Sequence, residues 1–422
     1  MMVLSVLLIL LAILGAPLFA VIAGSAMLGY YREGIDFMAI AIEILSVANM
    51  PFLSAIPLFT FAGYVLSESG APGRLVRFTG AIIGWMPGGL ALVALTACAF
   101  FTAFTGASGV TIIALGAILY PALKQSGYSN KFNLGLVTSA GSLGLLFAPS
   151  LPIILYGVVA EVSIDNLFLA GIFPGLLMLF MLAGYSLWVN RSNRQPLSDF
   201  SWRAVFSALR ESAWELPLPI IVLGGIYSGF FAVSEAAAVT ALYVLIVEVV
   251  VIRDIAISDV PRIMRESMLL VGGILMILSV SLASTNYMID AGVPQKILEV
   301  VTELVSSPAS FLALLLVFLL ILGAILDIFS AIILVVPLIL PIAAQYGVND
   351  VHLGIIFLAA MQLGYLTPPV GLNLFIASYR FEKSILQVYS ATVPFLLILL
   401  LSVVLIMYWP DLSLVLLENS TP

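Results

Sequence analysis

The chain has 422 residues, of which 63% are hydrophobic and only 9% are charged, and its formal net charge is −7. Soluble domains carry about a quarter charged residues, so this composition excludes a soluble protein and predicts an integral membrane protein. The long apolar runs show no alternation of apolar and polar residues, which excludes a membrane β-barrel. The expected fold is therefore an all-α membrane protein.

The first half of the chain, residues 1–210, divides into helical elements of three kinds. We expect scaffold spans near residues 3–30, 37–67 and 167–189, an arm along the membrane surface at 74–85, a re-entrant hairpin at 87–121 and a broken helix at 133–160. The hairpin is predicted because a polar, Gly-rich stretch at residues 102–109 interrupts an otherwise apolar segment. A polar linker at residues 189–212 then leads to the second half.

The second half, residues 211–422, contains the same kinds of element. We expect spans near residues 214–230, 236–252, 267–289 and 385–409, an arm at 296–307, a hairpin at 309–343 and a broken helix at 353–378. The break in the second hairpin is predicted at residues 323–330, where Asp327 and Ser330 interrupt the apolar run.

Residues that break helices recur at a fixed spacing of 220 positions. The matched pairs are Pro121 and Pro341, Gln125 and Gln345, Gly127 and Gly347, Pro149 and Pro369, and Pro174 and Pro394. Such a repeat predicts two copies of one unit. With re-entrant hairpins, an odd number of crossings separates each span from its copy, so the copies are inverted. All of the 15 Lys and Arg residues except Arg32 and Lys296 then lie on one side, which the positive-inside rule identifies as the cytoplasm.

Non-helical backbone at membrane depth is tolerated only where protein, water or a ligand satisfies its polar groups. Four such places are predicted, two hairpin tips and two broken helices, and this pattern is typical of secondary transporters. Carbonyls and hydroxyls there suit a hard cation such as Na⁺, whereas free N–H groups suit an anionic substrate. The candidate residues are Thr105, Gly106, Ser108, Ser142, Pro149, Ser150, Asp327, Ser330, Thr367, Pro368, Pro369 and Asn373.

Asp327 stands alone in an apolar stretch, where a charge costs roughly 2.5–3.5 kcal/mol or more. It can serve as a Na⁺ or substrate ligand, as a proton carrier, or as the cap of the returning half-helix. An intramembrane enzyme or an assembly scaffold using Asp327 is a further alternative. Catalysis would need a second titratable group, but Ala107 occupies the matching position of the first half. We therefore expect that the chain is not an enzyme. It contains no GxxxxGK[ST] loop, so the sequence does not indicate an ATP-binding site.

Several segments together resemble the large membrane subunit of tripartite ATP-independent periplasmic (TRAP) transporters. The resemblance is carried by residues 49–63, 105–111, 149–157 and 367–373, the last reading Thr-Pro-Pro-Val-Gly-Leu-Asn. It implies Na⁺-coupled uptake of a small organic acid across the bacterial inner membrane by an elevator motion, with Na⁺ as coupling ion and no other cofactor. It also implies two partners, a separate four-helix membrane subunit and a periplasmic substrate-binding protein.

The resemblance also implies where Na⁺ binds. One site would use the tip residues Thr105 and Ser108 with the break at residues 142–150, and the other would use Asp327 and Ser330 with residues 367–373, Thr367 among them. Many members carry a Ser-Gly-Ser-Ser type first tip, whereas this chain has Ala107 there. The sequence therefore does not decide which hydroxyl at this tip binds Na⁺. A stand-alone ion-coupled organic-anion symporter also stays open. So does the substrate, whether a C4-dicarboxylate, a sialic acid, a 2-oxo acid or a sulfonate.

Overall fold

The computed structural model describes residues 8, 10, 11, 14, 16–50, 53–191 and 199–418, and within these residues all regular structure is helical. Three predicted segments extend outside the described residues. They are the start of the first span, residues 51–52 of the 49–63 segment, and residues 192–198 of the linker. The helices are numbered here in chain order.

Besides the helical residues Leu8, Leu10 and Leu11, the first half of the described chain contains eleven α-helices. They are α1 (Leu18–Glu33), α2 (Met38–Ala48), α3 (Ala55–Glu68), α4 (Ala71–Ile83), α5 (Gly89–Thr105), α6 (Ser108–Gln125), α7 (Asn130–Ala140), α8 (Leu151–Val159), α9 (Ile164–Ala170), α10 (Ile172–Val189) and α11 (Trp202–Glu211). A 3₁₀ turn at Leu143–Leu146 lies between α7 and α8. The prediction of a single span at residues 37–67 is wrong, because α2 ends at Ala48 and α3 begins at Ala55. Pro51 lies between them, and a proline disfavours helix at the residue before it.

The second half of the described chain contains ten α-helices. They are α12 (Pro217–Tyr227), α13 (Val233–Ile246), α14 (Val260–Asp290), α15 (Val293–Leu304), α16 (Pro308–Ile325), α17 (Ile328–Gln345), α18 (Asp350–Gly364), α19 (Leu372–Arg380), α20 (Ile385–Tyr408) and α21 (Asp411–Glu418). A π-helical turn at Val247–Val251 extends α13. The span predicted at residues 214–230 is only the 11-residue α12, about 16 Å long at 1.5 Å per residue, which is too short for a bilayer core of about 30 Å. The span predicted at residues 267–289 lies inside the longer α14.

Both predicted hairpins turn back on themselves. In the first, Thr102 and Thr111 lie on opposite arms, yet their hydroxyl oxygens are 2.7 Å apart. In the second, Phe311 at the start of α16 stacks on Tyr346 just after α17, with ring centroids 4.5 Å apart. In one continuous straight helix the two residues of each pair would lie too far apart to make these contacts. The pairs α5–α6 and α16–α17 are therefore hairpins.

Seven helical segments of the described chain are long and apolar enough to cross a membrane. They are Ser108–Gln125, Ile164–Val189, Val233–Val251, Ile257–Asp290, Pro308–Ile325, Ile328–Gln345 and Ile385–Tyr408. A bent pair, Asn130–Leu146 with Leu151–Val159, adds an eighth and is kinked by 44° at the predicted first broken helix. The architecture is thus an all-α, multi-span membrane protein, as the composition predicts.

The hairpins and broken helices of the two halves pack together. Helix α8 of the first half packs on α17 of the second, and α19 of the second half packs on α6 of the first. Pro149 and Pro369, which the 220-residue repeat matches, both follow cis peptide bonds. Helices α3 and α14 flank this assembly: a Cβ on Gly63 would lie 2.8 Å from the Phe104 carbonyl oxygen, and the Ser281 hydroxyl donates to the Ile333 carbonyl at 3.2 Å.

The first arm, predicted at 74–85 and observed as α4 from Ala71, carries an ion cluster around the buried Arg74 that the sequence analysis did not predict. The Arg74 guanidinium donates to Glu215 Oε1 at 2.5 Å, to both carboxylate oxygens of Glu248 at 2.9 and 3.0 Å, and to Asp254. Burial raises the pKa of Asp254, but hydrogen bonds from Arg74 and from the Gly70 N–H outweigh it and hold that pKa below its ordinary value. The cluster therefore ties the arm to the segments around α12 and α13.

Candidate functional site

The first helix break lies between α5 and α6 and depends on a glycine. Gly106 has a φ of 63°, in the left-handed region, and a Cβ there would lie 2.6 Å from Leu151 Cβ. Both conditions favour glycine. Ala107 is extended, and α6 begins at the next residue, Ser108. The hairpin tip thus sits directly against the start of α8.

The same tip is attached to the first broken helix on its other side. The Thr102 hydroxyl donates to the Gly141 carbonyl at 2.8 Å, where α7 ends. A Cβ on Gly144 would lie 2.2 Å from the Ala99 carbonyl oxygen, so the 3₁₀ turn is in backbone contact with α5. The sequence prediction did not select Thr102, although it belongs to the polar stretch that indicated the tip.

Two predicted site hydroxyls at this break have no partner. Thr105 Oγ1 at the end of α5 and Ser150 Oγ just before α8 are both buried, with residue exposures of 3% and 0%, and neither forms a hydrogen bond within the described structure. Ser142 is also buried, and its hydroxyl donates to the Ser139 carbonyl at 3.4 Å. Buried polar atoms without partners are rare and mark places where water or an ion can bind.

At the second hairpin tip, Asp327 caps α17. Its Oδ1 accepts hydrogen bonds from the N–H groups of Phe329 and Ser330 at 3.0 and 3.1 Å, and its Oδ2 accepts from the Ser330 hydroxyl at 2.5 Å. The capping role left open by the sequence is therefore observed. Capping occupies some of the carboxylate lone pairs and leaves others available, so it is compatible with ligation.

The second tip is held by the second broken helix. The Ala324 carbonyl accepts hydrogen bonds from the N–H groups of Val370 and Gly371, each at 3.2 Å. The Tyr365 hydroxyl accepts from the Ile328 N–H at 2.7 Å, a role that sequence reasoning missed. The Thr367 hydroxyl donates to the Gly364 carbonyl at 2.8 Å.

The two breaks differ in exposure. Pro149 and Ser150 of the first break are buried. Pro368 and Pro369 of the second break are exposed, as is Val370, at 43%. The site predicted around the first tip is therefore enclosed, whereas the second break opens to its surroundings.

Asn373 links the two halves. The sequence groups it with Asp327 and Thr367, but its side-chain oxygen accepts a 2.7 Å hydrogen bond from the Ser108 hydroxyl at the first tip. Its amide nitrogen donates to the Thr138 carbonyl at 3.5 Å. Ser108 is the first residue of α6 and Asn373 the second residue of α19. The N-termini of two half-helices therefore meet here, and both present the positive ends of their dipoles.

Comparison with known proteins gives the same family as the motifs. The family model of the DctM component of the tripartite ATP-independent periplasmic transporter matches residues 1–412. The C4-dicarboxylate TRAP transporter large permease protein DctM of Pseudomonas aeruginosa is 35% identical over 379 residues, covering 90% of this chain and 89% of that protein. The isethionate TRAP transporter permease protein DctMQ of Oleidesulfovibrio alaskensis is 32% identical over 374 residues, which are 88% of this chain and 58% of that protein.

A solved structure supports the fold. The Alcanivorax borkumensis YdaH transporter, described as having an unusual topology, aligns with a TM-score of 0.64 over 89% of this chain and 88% of its own, at 15% sequence identity. The family match confirms the resemblance carried by residues 105–111, 149–157 and 367–373, and the chain belongs to the DctM family, the large permease component of TRAP transporters.

Proposed function

We propose that this chain couples the entry of Na⁺ to the uptake of a small organic acid. Family membership establishes the coarser statement: the protein is a multi-pass permease component of a secondary transporter in the bacterial inner membrane, and not an enzyme. Na⁺ coupling, the acidic substrate and the elevator motion are the proposed refinements.

The observation that carries the proposal is the meeting of α6 and α19 at Ser108 and Asn373. Two helix N-termini directed at one place favour an anion, because their first N–H groups have no partner within the helix. The Asn373 amide lies at the same point, and its second N–H can donate a hydrogen bond to a carboxylate. No arginine is needed to hold the acid in this arrangement.

Na⁺ fits the neighbouring groups of the first break. Thr105 Oγ1 and Ser150 Oγ are buried oxygens without partners, and oxygen is the ligand atom that hard cations take. At the second tip, Asp327 supplies a carboxylate and Thr367 a hydroxyl. We propose one Na⁺ site at each tip, with Ser108 completing the first and Ser330 the second.

An elevator motion is the proposed route of transport. The hairpins and broken helices of both halves pack on one another, which supports their moving as one body against α3 and α14. We further propose that residues 1–210 and 211–422 are inverted copies. The two hairpins would then open toward opposite sides of the membrane.

The proposed partners are a small membrane subunit and a periplasmic substrate-binding protein, as the family's tripartite description indicates. The longer DctMQ relative extends well beyond the region that this chain matches, which supports a second membrane component. Relatives named for C4-dicarboxylate and isethionate transport both handle organic anions, which supports the same substrate class here.

Reconstituted vesicles test Na⁺ coupling. The permease, the small subunit and the ligand-loaded binding protein are assembled in proteoliposomes, and uptake is measured with an inward gradient of Na⁺ or of K⁺. We expect uptake with Na⁺ only, and none when the binding protein is omitted. Equal uptake with K⁺ would remove Na⁺ from the mechanism, and uptake without the binding protein would favour a stand-alone symporter.

Site-specific labelling tests the elevator motion. Cys98 is the chain's only cysteine and is 1% exposed. In a Cys98→Ala background, Ser108→Cys therefore introduces the single thiol of the chain. We expect the labelling rate from the cytoplasmic side to change when Na⁺ and substrate are added. A rate that is the same in every condition would contradict a moving tip.

A further inference from the structure

A polar cleft outside the helix breaks lies at the end of α6 and the starts of α7 and α20. It has a volume of about 440 Å³ and is lined by Tyr120, Asn130, Lys131, Leu134, Lys383, Leu386, Gln387 and Ser390. These described lining residues include two lysines and no carboxylate. The cleft therefore combines positive charge with amide and hydroxyl donors.

Neither lysine forms an ion pair within the described part of the chain. All ion pairs among the described residues are made by arginines, namely Arg74, Arg77 and Arg262. Lys131 and Lys383 are exposed and come from segments more than 250 positions apart. Their convergence on one cleft leaves about two positive charges available to an anion.

The cleft is also placed at the edge of the membrane. Lys383 lies two residues before the first residue of α20, which is long and apolar enough to span. Leu386, a lining residue on the first turn of α20, is 75% exposed, and Leu397, Leu401 and Leu405 continue exposed apolar surface along that helix. An apolar helix face exposed at membrane depth contacts acyl chains. The cleft lies at the end where that face meets the headgroup layer.

The positive-inside rule assigns this end of α20 to the cytoplasm, since Arg380 and Lys383 lie just before that helix and Lys131 lines the same cleft. The cytoplasmic leaflet carries negative surface charge, and basic pockets between membrane helices on that side bind anionic headgroups. A free anion would use the lysines but would gain nothing from the adjoining leucines.

We propose that this cleft binds the headgroup of an anionic phospholipid, with Lys131 and Lys383 on the phosphate and the acyl chains along the exposed leucines of α20. Asn130, Gln387 and Ser390 then donate to phosphate or glycerol oxygens. The lipid bridges the first broken helix and the last long span. This inference does not depend on Na⁺ coupling or on the transported substrate.

Lipid binding to delipidated, purified protein tests the proposal. Native mass spectrometry compares phosphatidylglycerol with phosphatidylethanolamine of the same acyl chains, for the wild type and for K131A/K383A. The chain has only two other lysines, Lys124 and Lys296, and neither lines the cleft. K124A/K296A is therefore a control with the same loss of charge.

We expect phosphatidylglycerol to bind the wild type and the control more tightly than phosphatidylethanolamine. K131A/K383A loses both positive charges proposed to contact the phosphate, so it should bind phosphatidylglycerol roughly thirtyfold more weakly, which corresponds to about 2 kcal/mol. In the unmodified protein, raising the salt concentration should also weaken this binding by screening the charges.

Three results would overturn the proposal. Equal losses in both double variants would place the lipid elsewhere, and equal affinity for the two lipids would exclude headgroup recognition. Displacement of phosphatidylglycerol by inorganic phosphate at an equal concentration would indicate a site for free anions instead of lipid.

Discussion

The hydroxyl of Ser108 donates a 2.7 Å hydrogen bond to the side-chain oxygen of Asn373, although 265 positions separate the two residues. Both residues are buried, at 4% and 0% exposure. The bond joins the first hairpin tip to the second broken helix, so residues of both halves of the chain lie at the proposed anion site. Neither half alone contains the arrangement that favours an anion.

A double-mutant cycle on this pair should reveal coupling. Ser108→Ala leaves the buried Asn373 oxygen without its donor, and an unsatisfied buried polar group costs about 1–3 kcal/mol. We expect a lower melting temperature in detergent for each single variant. The double variant Ser108→Ala/Asn373→Ala should lose less than the sum of the two. Additive losses would show that the two side chains are not coupled.

Two substitutions at Asp327 separate capping from ligation. Asn is as good an N-cap as Asp, whereas Ala loses about 1 kcal/mol or more. Asp327→Asn should therefore keep the melting temperature near that of the wild type while strongly reducing Na⁺-dependent uptake. Asp327→Ala should lower both the melting temperature and uptake. Normal uptake by a folded Asp327→Asn protein would contradict a role for the charge.

The helix breaks could be predicted from the sequence because their cause is local. Glycine and proline interrupt helices wherever they occur, and polar residues inside apolar runs at 102–109 and 323–330 need partners at membrane depth. The observed breaks at Gly106–Ala107 and Leu326–Asp327 fall inside these stretches. The 220-residue spacing also matches Pro149 of the first broken helix with Pro369 of the second.

Contacts between distant segments could not be predicted in the same way. Asn373 lies at the first tip because α19 packs on α6, and the local sequence around Asn373 does not specify its neighbours across the chain. Arg74 was assigned to a charged membrane-surface arm, whereas its partners Glu215 and Glu248 lie 141 and 174 positions away. A signal for this cluster did exist, because Glu248 falls inside the predicted span at residues 236–252, and a carboxylate there needs a partner.

Close backbone contact at the second tip predicts a sharp effect of a single methyl group. A Cβ on Gly364 would lie 2.5 Å from the Gly323 Cα and carbonyl carbon, so Gly364→Ala must displace the hairpin. We expect a clear fall in melting temperature and in uptake. Gly272→Ala in α14 is a matched control, since no atom lies within 4 Å of its Cβ position and alanine is favoured over glycine inside helices. Equal behaviour of the two variants would mean that the contact between Gly323 and Gly364 is looser than observed.

Arg74 should be far more important for stability than its neighbour Arg77. Arg74 is 7% exposed and bonds to three carboxylates, of which Glu248 is fully buried. Removing one partner of a buried ion pair typically costs about 3–5 kcal/mol, because the remaining charge is buried without compensation. Arg74→Met should therefore strongly lower the melting temperature or prevent purification of folded protein.

Arg77→Met is the control on the same helix. The Arg77 side chain is 58% exposed and pairs with the exposed Glu211 at 2.8 Å, and such surface pairs contribute about 0–1 kcal/mol. We expect this variant to unfold close to the wild-type temperature. Adding Glu248→Gln to Arg74→Met should recover part of the stability, because it removes the buried negative charge that lost its partner. If Arg74→Met alone unfolds like Arg77→Met, the cluster does not hold the arm in place.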